Sequence, residues 1–210
     1  MPDAATFGLF VVASLAVYVS PGPDMLYIAS RSIGQGTKVG MLSACGTTAG
    51  LFVHTVMAAF GLSAVFAYSP LAFEIVKWLG VAYLVYLGIR TLTSKDAHPE
   101  ALATGPKGTA RRAFTQGAVI NLLNPKIALF FLAFLPQFAD PARGDVPTQM
   151  ALLGLLFTVG GFVWTQVLAF GFGRAGGWLM RRPRVWAWQR RFTGSVMLAL
   201  AFNLALTERR

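Results

Sequence analysis

The sequence predicts an all-α polytopic membrane protein with about six transmembrane helices, arranged as two inverted three-helix repeats. The mean hydropathy is +0.59, and charged residues make up only 12% of the chain. Apolar runs of about 20 residues recur along it, long enough to cross about 30 Å of hydrocarbon. A polar linker divides these runs into two sets of three.

The predicted spans cover residues 4–33, 41–68, 75–92, 114–138, 148–172 and 192–206. The first contains Pro21-Gly22-Pro23 and the fourth contains Asn124-Pro125. Because proline clashes with a continuing helix and lacks an N–H donor, both spans are predicted to be broken there. The first span follows no basic region and precedes no usual cleavage site, so we expect it to be retained. The last starts beside two arginines that can reach the headgroups, which leaves its boundary open.

Basic residues predict the orientation. Lys and Arg concentrate in the first, third and fifth connections, whereas Lys77 and Arg143 alone fall on the other side. Cytoplasmic connections carry the excess of basic residues in multi-pass proteins. We therefore expect both termini to lie outside the cell.

The linker defines the domains. Residues 94–113 are rich in polar residues and helix breakers, and they separate a first three-helix repeat at 1–93 from a second at 114–210. Since each half has an odd number of spans, the second half enters the membrane from the opposite side. This arrangement is typical of many secondary transporters.

The two breaks are predicted to meet. Each lies about ten residues from the cytoplasmic surface, or roughly 15 Å at 1.5 Å per residue. Pro23 and Pro125 can each begin a half-helix, capped by Gly22 and Asn124. Such helix starts attract anions, whereas the free carbonyl of Ser20 and the Asp24 carboxylate attract cations. One cavity could then bind both ends of a zwitterion.

Two charges adjoin these breaks. Asp24 and Lys126 each cost about 2.5–3.5 kcal/mol at a helix centre on insertion scales. Their opposite signs and equal depth predict that they pair or alternate partners during transport. The alternative is a structural ion pair that joins the two halves.

Other polar residues within the spans have two interpretations each. His54 can carry protons, because its ordinary pKa is near neutrality, or can serve as hydrogen-bonded packing. Asn121 can satisfy carbonyls freed by the break or line the cavity. Gly46 and Gly50 form a Gly-x-x-x-Gly pair that favours close helix packing, either within one chain or in a homo-oligomer.

Several function classes are disfavoured. The formal charge of +10 is dispersed through short connections, which predicts no nucleic-acid partner. The spans carry too few carboxylate, His and Cys ligands for a convincing metal site. The nucleotide-binding loop of ATP-driven pumps is absent from the sequence, as are hydrolase and metalloprotease motifs, so neither an enzyme nor a cofactor is expected.

At these residues the sequence resembles the lysine-exporter (LysE) superfamily, within it the homoserine/threonine-exporter (RhtB) branch. The resemblance extends over nearly the whole chain, and its most specific stretches are Pro21-Gly22-Pro23-Asp24, Asn121-Leu122-Leu123-Asn124-Pro125-Lys126 and Phe130-Phe131-Leu132-Ala133-Phe134-Leu135-Pro136-Gln137-Phe138. It implies an inner-membrane exporter of threonine-, homoserine- or lysine-like amino acids or their derivatives, driven by proton antiport. The alternative is an exporter of another small solute or a metal cation from the same superfamily.

Overall fold

A computed structural model describes residues 4–62, 70–93, 109–180 and 183–206. All regular secondary structure in these ranges is helical, which confirms the predicted fold class. The α-helices are α1 (Ala4–Val19), α2 (Pro23–Gln35), α3 (Thr37–Met57), α4 (Pro70–Thr93), α5 (Ala110–Leu122), α6 (Pro125–Leu129), α7 (Val146–Met180) and α8 (Pro183–Leu206). A π-helical turn, Ala58–Leu62, extends α3. After α6 the chain continues as a π-helical turn, Phe130–Phe134, and 3₁₀ turns at Leu135–Phe138 and Pro141–Arg143.

Both predicted helix breaks are present. α1 and α2 meet at an angle of 51°, and α5 meets the segment Pro125–Phe138 at 48°. This segment, which begins with α6, is called the α6 segment. Pro23 and Pro125 each occupy the first turn of the helix that follows, where a missing N–H costs no hydrogen bond. Asn124 caps α6, because its side-chain oxygen accepts a hydrogen bond from the Lys126 N–H at 3.1 Å.

The helices are long enough for a multi-pass membrane protein. Thr37–Gly61 and Val146–Gly176 can each cross a membrane by length and composition, and each bent pair qualifies as one further span. The other two predicted spans lie within α4 and α8, which have 24 residues each. Large apolar side chains are exposed on the outer faces, among them Val12, Phe60, Phe162 and Phe202. Such faces suit a lipid environment.

Several helices extend beyond the predicted spans, among them α3, which begins at Thr37, and α4, which begins at Pro70. α7 continues to Met180 and α8 begins at Pro183, so most of the expected connection 173–191 is helical. Arginine and tryptophan are compatible with a helix, and Pro183 suits the first turn. α5 begins four residues early, because Thr109 caps it by accepting from the Arg112 N–H at 3.3 Å. The rest of the predicted linker, residues 94–108, and the end of the second predicted span, residues 63–68, lie outside the described residues.

The helix α3 packs closely on α5. A Cβ atom added at Gly46 would collide with the Phe114 carbonyl, and one added at Gly50 would lie 2.7 Å from the Asn121 side chain. A Cβ atom at Gly117 would lie 2.5 Å from the Ser43 carbonyl oxygen. The close packing predicted from Gly46 and Gly50 is therefore confirmed, and these contacts lie within one chain.

An aromatic core fills the space between α1, α7 and the segment after α6. The rings of Phe130 and Phe157 stack with centroids 4.3 Å apart, and Phe131 meets Phe157 edge to face at 5.4 Å. Elsewhere α3 packs on α7 and α4 packs on α8. The two breaks are held between these helices.

Candidate functional site

The Asp24 carboxylate is held by the second helix break. Its Oδ2 accepts hydrogen bonds from the side-chain amides of Asn121, at 2.9 Å, and Asn124, at 3.0 Å. All three residues are buried. The second oxygen, Oδ1, is also buried and has no hydrogen-bond partner. Oδ2 is therefore hydrogen-bonded to the protein, whereas Oδ1 can still accept a hydrogen bond.

Lys126 is hydrogen-bonded to the backbone at the first helix break. Its ammonium donates to the carbonyl of Val17 at 3.1 Å and to that of Ser20 at 3.0 Å. In an unbroken helix the Val17 carbonyl would accept from residue 21, but Pro21 has no N–H. Lys126 supplies the missing donor from the other half of the chain.

The two charges do not form a direct ion pair in this structure, and the exchange of partners during transport stays a prediction. Within the described residues, Asp24 binds two amides and Lys126 binds two carbonyls. The reason is local. The side-chain amides of Asn121 and Asn124 lie within hydrogen-bond distance of the carboxylate, and the end of α1 has carbonyls within hydrogen-bond distance of the ammonium. Each charge thus bridges the two halves separately.

His54 lies behind this network. It is buried, its Nε2 is 3.4 Å from the Asn121 carbonyl oxygen, and its ring stacks on Phe131 with centroids 5.6 Å apart. Asn121 therefore contacts His54 through its backbone and Asp24 through its side chain. The imidazole of His54 and the carboxylate of Asp24 are therefore separated by a single residue, Asn121.

A cavity of about 40 Å³ separates the charges from α7. It has room for about three water molecules. Of the residues that the sequence predicted for the site, it is lined by Ser20, Asp24, Asn121 and Lys126. The other five predicted residues do not line the cavity. Gly22 and Asn124 lie at the two breaks, and His54 lies behind Asn121. Pro23 and Pro125 are exposed.

Sequence reasoning missed the residues that α1 and α7 contribute to the cavity. Tyr18, Phe157 and Trp164 line it, and the Tyr18 hydroxyl donates to the Phe157 carbonyl at 2.6 Å. The indole N–H of Trp164 is buried without a partner. One signal was available in the sequence: tryptophan concentrates at membrane interfaces, and Trp164 lies in the middle of a predicted span.

Two side chains of α2 are hydrogen-bonded to α5. The Tyr27 hydroxyl donates to the Ala113 carbonyl at 2.8 Å, and the buried Arg31 guanidinium donates to the Gln116 side chain. These contacts tie α2 to α5. In the part of the chain that the structure describes, no three His, Cys, Asp or Glu side chains converge in a way that could hold a metal ion.

Comparison with known proteins identifies the family. The model of the LysE type translocator family matches residues 15–208. The homoserine/homoserine lactone efflux protein of Salmonella typhimurium is 32% identical over 199 residues, which cover 93% of this chain and 94% of that protein. The leucine efflux protein of Enterobacter sp. (strain 638) is 30% identical over 164 residues, 78% of each chain. The membrane protein YrhP of Bacillus subtilis is 29% identical over 204 residues, 93% of this chain and 96% of its own.

No solved structure matches this chain significantly. The family match extends over both helix breaks and nearly all of the sequence. The resemblance inferred from the two proline motifs is thereby confirmed: the chain belongs to the LysE family of translocators.

Proposed function

We propose that this protein is a secondary exporter of small amino acids or close derivatives, which bind between the two broken helices. Its family consists of translocators, so the chain is not an enzyme. The names of two relatives, which state leucine efflux and homoserine/homoserine lactone efflux, support an amino-acid cargo.

One observation carries the proposal: a single cavity brings together a carboxylate and an ammonium group that are not paired with each other. Asp24 and Lys126 both line it. Charges inside a membrane protein are costly and are found where they bind substrates or ions. A zwitterion matches this pair, because its two ends carry the complementary charges.

The available atoms define a binding mode. The substrate ammonium donates to Asp24 Oδ1 and Asn121 Oδ1, two buried acceptors that have no partner. The substrate carboxylate accepts from Lys126, which has three N–H donors and uses two of them on the first break. Each charged end then makes a charge-assisted hydrogen bond.

Proton coupling follows from competition for Asp24. The carboxylate can be neutralised by a proton or by the substrate ammonium, and the two exclude each other. His54, in contact with Asn121, supplies a route for the proton. One charge moving through the membrane potential releases about 2.3 kcal/mol per 100 mV, which is enough to drive outward transport.

Access alternates between the two sides of a bacterial inner membrane, with both termini outside the cell. The two predicted repeats, 1–93 and 114–210, supply the two moving parts. The packing of α3 on α7 and of α4 on α8, the second and third spans of each half, supports this organisation. A cavity of about 40 Å³ is too small for an amino acid, so the site must widen to admit one. We propose that it widens by separation of α2 from α5, which are joined by the hydrogen bonds of Tyr27 and Arg31.

Transport in proteoliposomes tests the cargo. Wild-type protein should exchange radiolabelled leucine or homoserine across the membrane. Asp24→Asn should lower exchange at least about 10-fold, because it removes a charged hydrogen bond to the substrate. Asp145→Asn is the matched control: this exposed carboxylate caps α7 by accepting a hydrogen bond from the Thr148 N–H at 2.9 Å, and asparagine can replace it. Full exchange by Asp24→Asn would remove Asp24 from the mechanism.

A pH gradient tests the coupling. In an antiporter, the amino acid moves toward the acidic compartment as protons leave it. Leucine should therefore accumulate in liposomes with an acidic lumen and should leak out when a protonophore collapses the gradient. Accumulation that ignores the gradient would contradict proton antiport while leaving amino-acid exchange intact.

A further inference from the structure

The unpaired polar atoms of this protein are concentrated at one place. Among the described residues, the buried side-chain atoms without a hydrogen-bond partner are Asp24 Oδ1, Ser32 Oγ, Asn121 Oδ1, Trp164 Nε1 and Gln166 Oε1. Three of these residues, Asp24, Asn121 and Trp164, line the same cavity. Buried polar groups are nearly always paired in folded proteins, so such a cluster requires an explanation.

Trp164 differs from the other two because it is a donor. An indole offers one N–H and no acceptor. The acceptors Asp24 Oδ1 and Asn121 Oδ1 suit the ammonium end of a substrate, but they cannot bind its carboxyl end. The indole N–H has the opposite preference.

The hydroxyl groups of the cavity are already engaged. Tyr18 donates to the Phe157 carbonyl at 2.6 Å, Thr47 to the Ala44 carbonyl at 2.9 Å, and Thr165 to the Gly161 carbonyl at 2.9 Å. The Ser20 hydroxyl contacts the Met197 sulfur at 3.8 Å. Among the lining side chains that the structure describes, the free N–H groups are therefore the third of Lys126, the second of the Asn121 amide and the indole of Trp164, and only the indole nitrogen has no partner at all.

We propose that Trp164 is a substrate-binding residue whose Nε1–H donates to a carboxyl oxygen of the transported amino acid. The proposal rests on the proposed amino-acid cargo and adds a residue on α7 to a site otherwise built from the two breaks. Because the indole is uncharged, it also binds a neutral acyl oxygen, such as that of an amide or a lactone. Lys126, by contrast, favours the carboxylate.

A pair of ligands isolates this contact. L-leucine has the carboxylate, and isopentylamine is the same molecule without it. In purified protein, Trp164→Phe should weaken binding of L-leucine by about 10-fold or more, as expected for a hydrogen bond to a charged group. Binding of isopentylamine should not change. L-leucinamide, with a neutral acyl oxygen, should lose affinity by a smaller factor.

Trp178→Phe is the control, since this tryptophan lies on the same helix and is exposed. It should leave the binding of all three ligands unchanged. If Trp164 had only a packing role, Trp164→Phe would weaken L-leucine and isopentylamine equally, and the proposal would be wrong. Equal binding of L-leucine by wild type and Trp164→Phe would also overturn it.

A second measurement does not depend on the variant. The protein has five tryptophans, so ¹⁵N-labelled wild type gives five indole N–H resonances. One should shift on addition of L-leucine and stay in place with isopentylamine. If all five ignore L-leucine although it binds, the role of Trp164 is disproved and the amino-acid cargo stands. If L-leucine, homoserine and the other amino acids do not bind to wild type, the cargo and the role of Trp164 both fall.

Discussion

The Val17 carbonyl illustrates how one side chain compensates for a proline. Pro21 deprives this carbonyl of its helical partner, and Lys126 restores a hydrogen bond at 3.1 Å from a helix more than 100 positions further along the chain. Ser20 gains a second bond from the same ammonium, at 3.0 Å. Lys126 therefore has a structural role in addition to its proposed role with substrate.

Lys126→Met tests the structural role, because the effect is measured on stability and not on transport. Methionine keeps much of the side-chain length but leaves both carbonyls unpaired, at a cost of about 1–3 kcal/mol for each buried group. Thermal unfolding in detergent should show a clear loss of stability relative to wild type. Lys38→Met, at an exposed position near the start of α3, should unfold like wild type. An unchanged melting temperature for Lys126→Met would show that water satisfies these carbonyls.

At the same scale, some site residues could be predicted from sequence and others could not. Asp24 and Lys126 were recognisable because a charge within an apolar span is costly. Their actual partners could not be predicted, since that choice depends on which amide or carbonyl lies within about 3 Å. The position of Trp164 within a span was a signal, but its role was missed because a sequence does not give the rotation of α7 and so does not show which side chains face the cavity.

Among the contacts between helices, that between α3 and α5 leaves little space for side chains. It brings two backbones together through glycines, so even one methyl group has no space at Gly117. The contact lies beside the hydrogen bonds that tie α2 to α5.

Gly117→Ala should destabilise the protein in a thermal unfolding assay, because its Cβ would lie 2.5 Å from the Ser43 carbonyl oxygen. Forcing an extra methyl group into a packed contact typically costs about 1–3 kcal/mol. Gly171→Ala provides the comparison, since nothing lies within 4 Å of its added Cβ. That variant should be neutral or slightly more stable, as alanine favours helix. Equal melting temperatures for the two variants would rule out tight packing.

The element boundaries show where sequence reasoning succeeds. Prolines at 21, 23 and 125 gave the two breaks correctly, because the effect of proline on a helix is local. The end of α7 and the start of α8 were placed too far apart, since hydropathy falls at the arginines while helix propensity does not. At about 1.5 Å per residue, the 35 residues of α7 extend well beyond the hydrocarbon core.

For the whole molecule, orientation in the membrane remains a prediction from the distribution of basic residues. It places the loop between the α6 segment and α7 outside the cell, and the linker 94–108 in the cytoplasm. Cysteine labelling in intact cells is suited to this test because the chain has a single cysteine, Cys45. Replacing it with serine gives a background without thiols.

In that background, Ala142→Cys should react with a membrane-impermeant maleimide added to intact cells. Ser94→Cys should react only after the cells are permeabilised. Both expectations follow from the excess of Lys and Arg in the odd-numbered connections. The reverse pattern would show that the protein has the opposite orientation, and the direction of export in the proposed cycle would then need to be reassigned.

The bond from Lys126 to the first break also constrains how the protein is made. The ribosome completes α1 to α4 before it reaches Lys126, Asn121 and Asn124. During that interval the Val17 carbonyl and the Asp24 carboxylate lack their native partners. We therefore expect water or another protein to bind these groups until α5 and α6 have been made. Assembly of the translocator is consequently a late event in biogenesis, and a chain stalled before residue 121 is an expected substrate for membrane proteases.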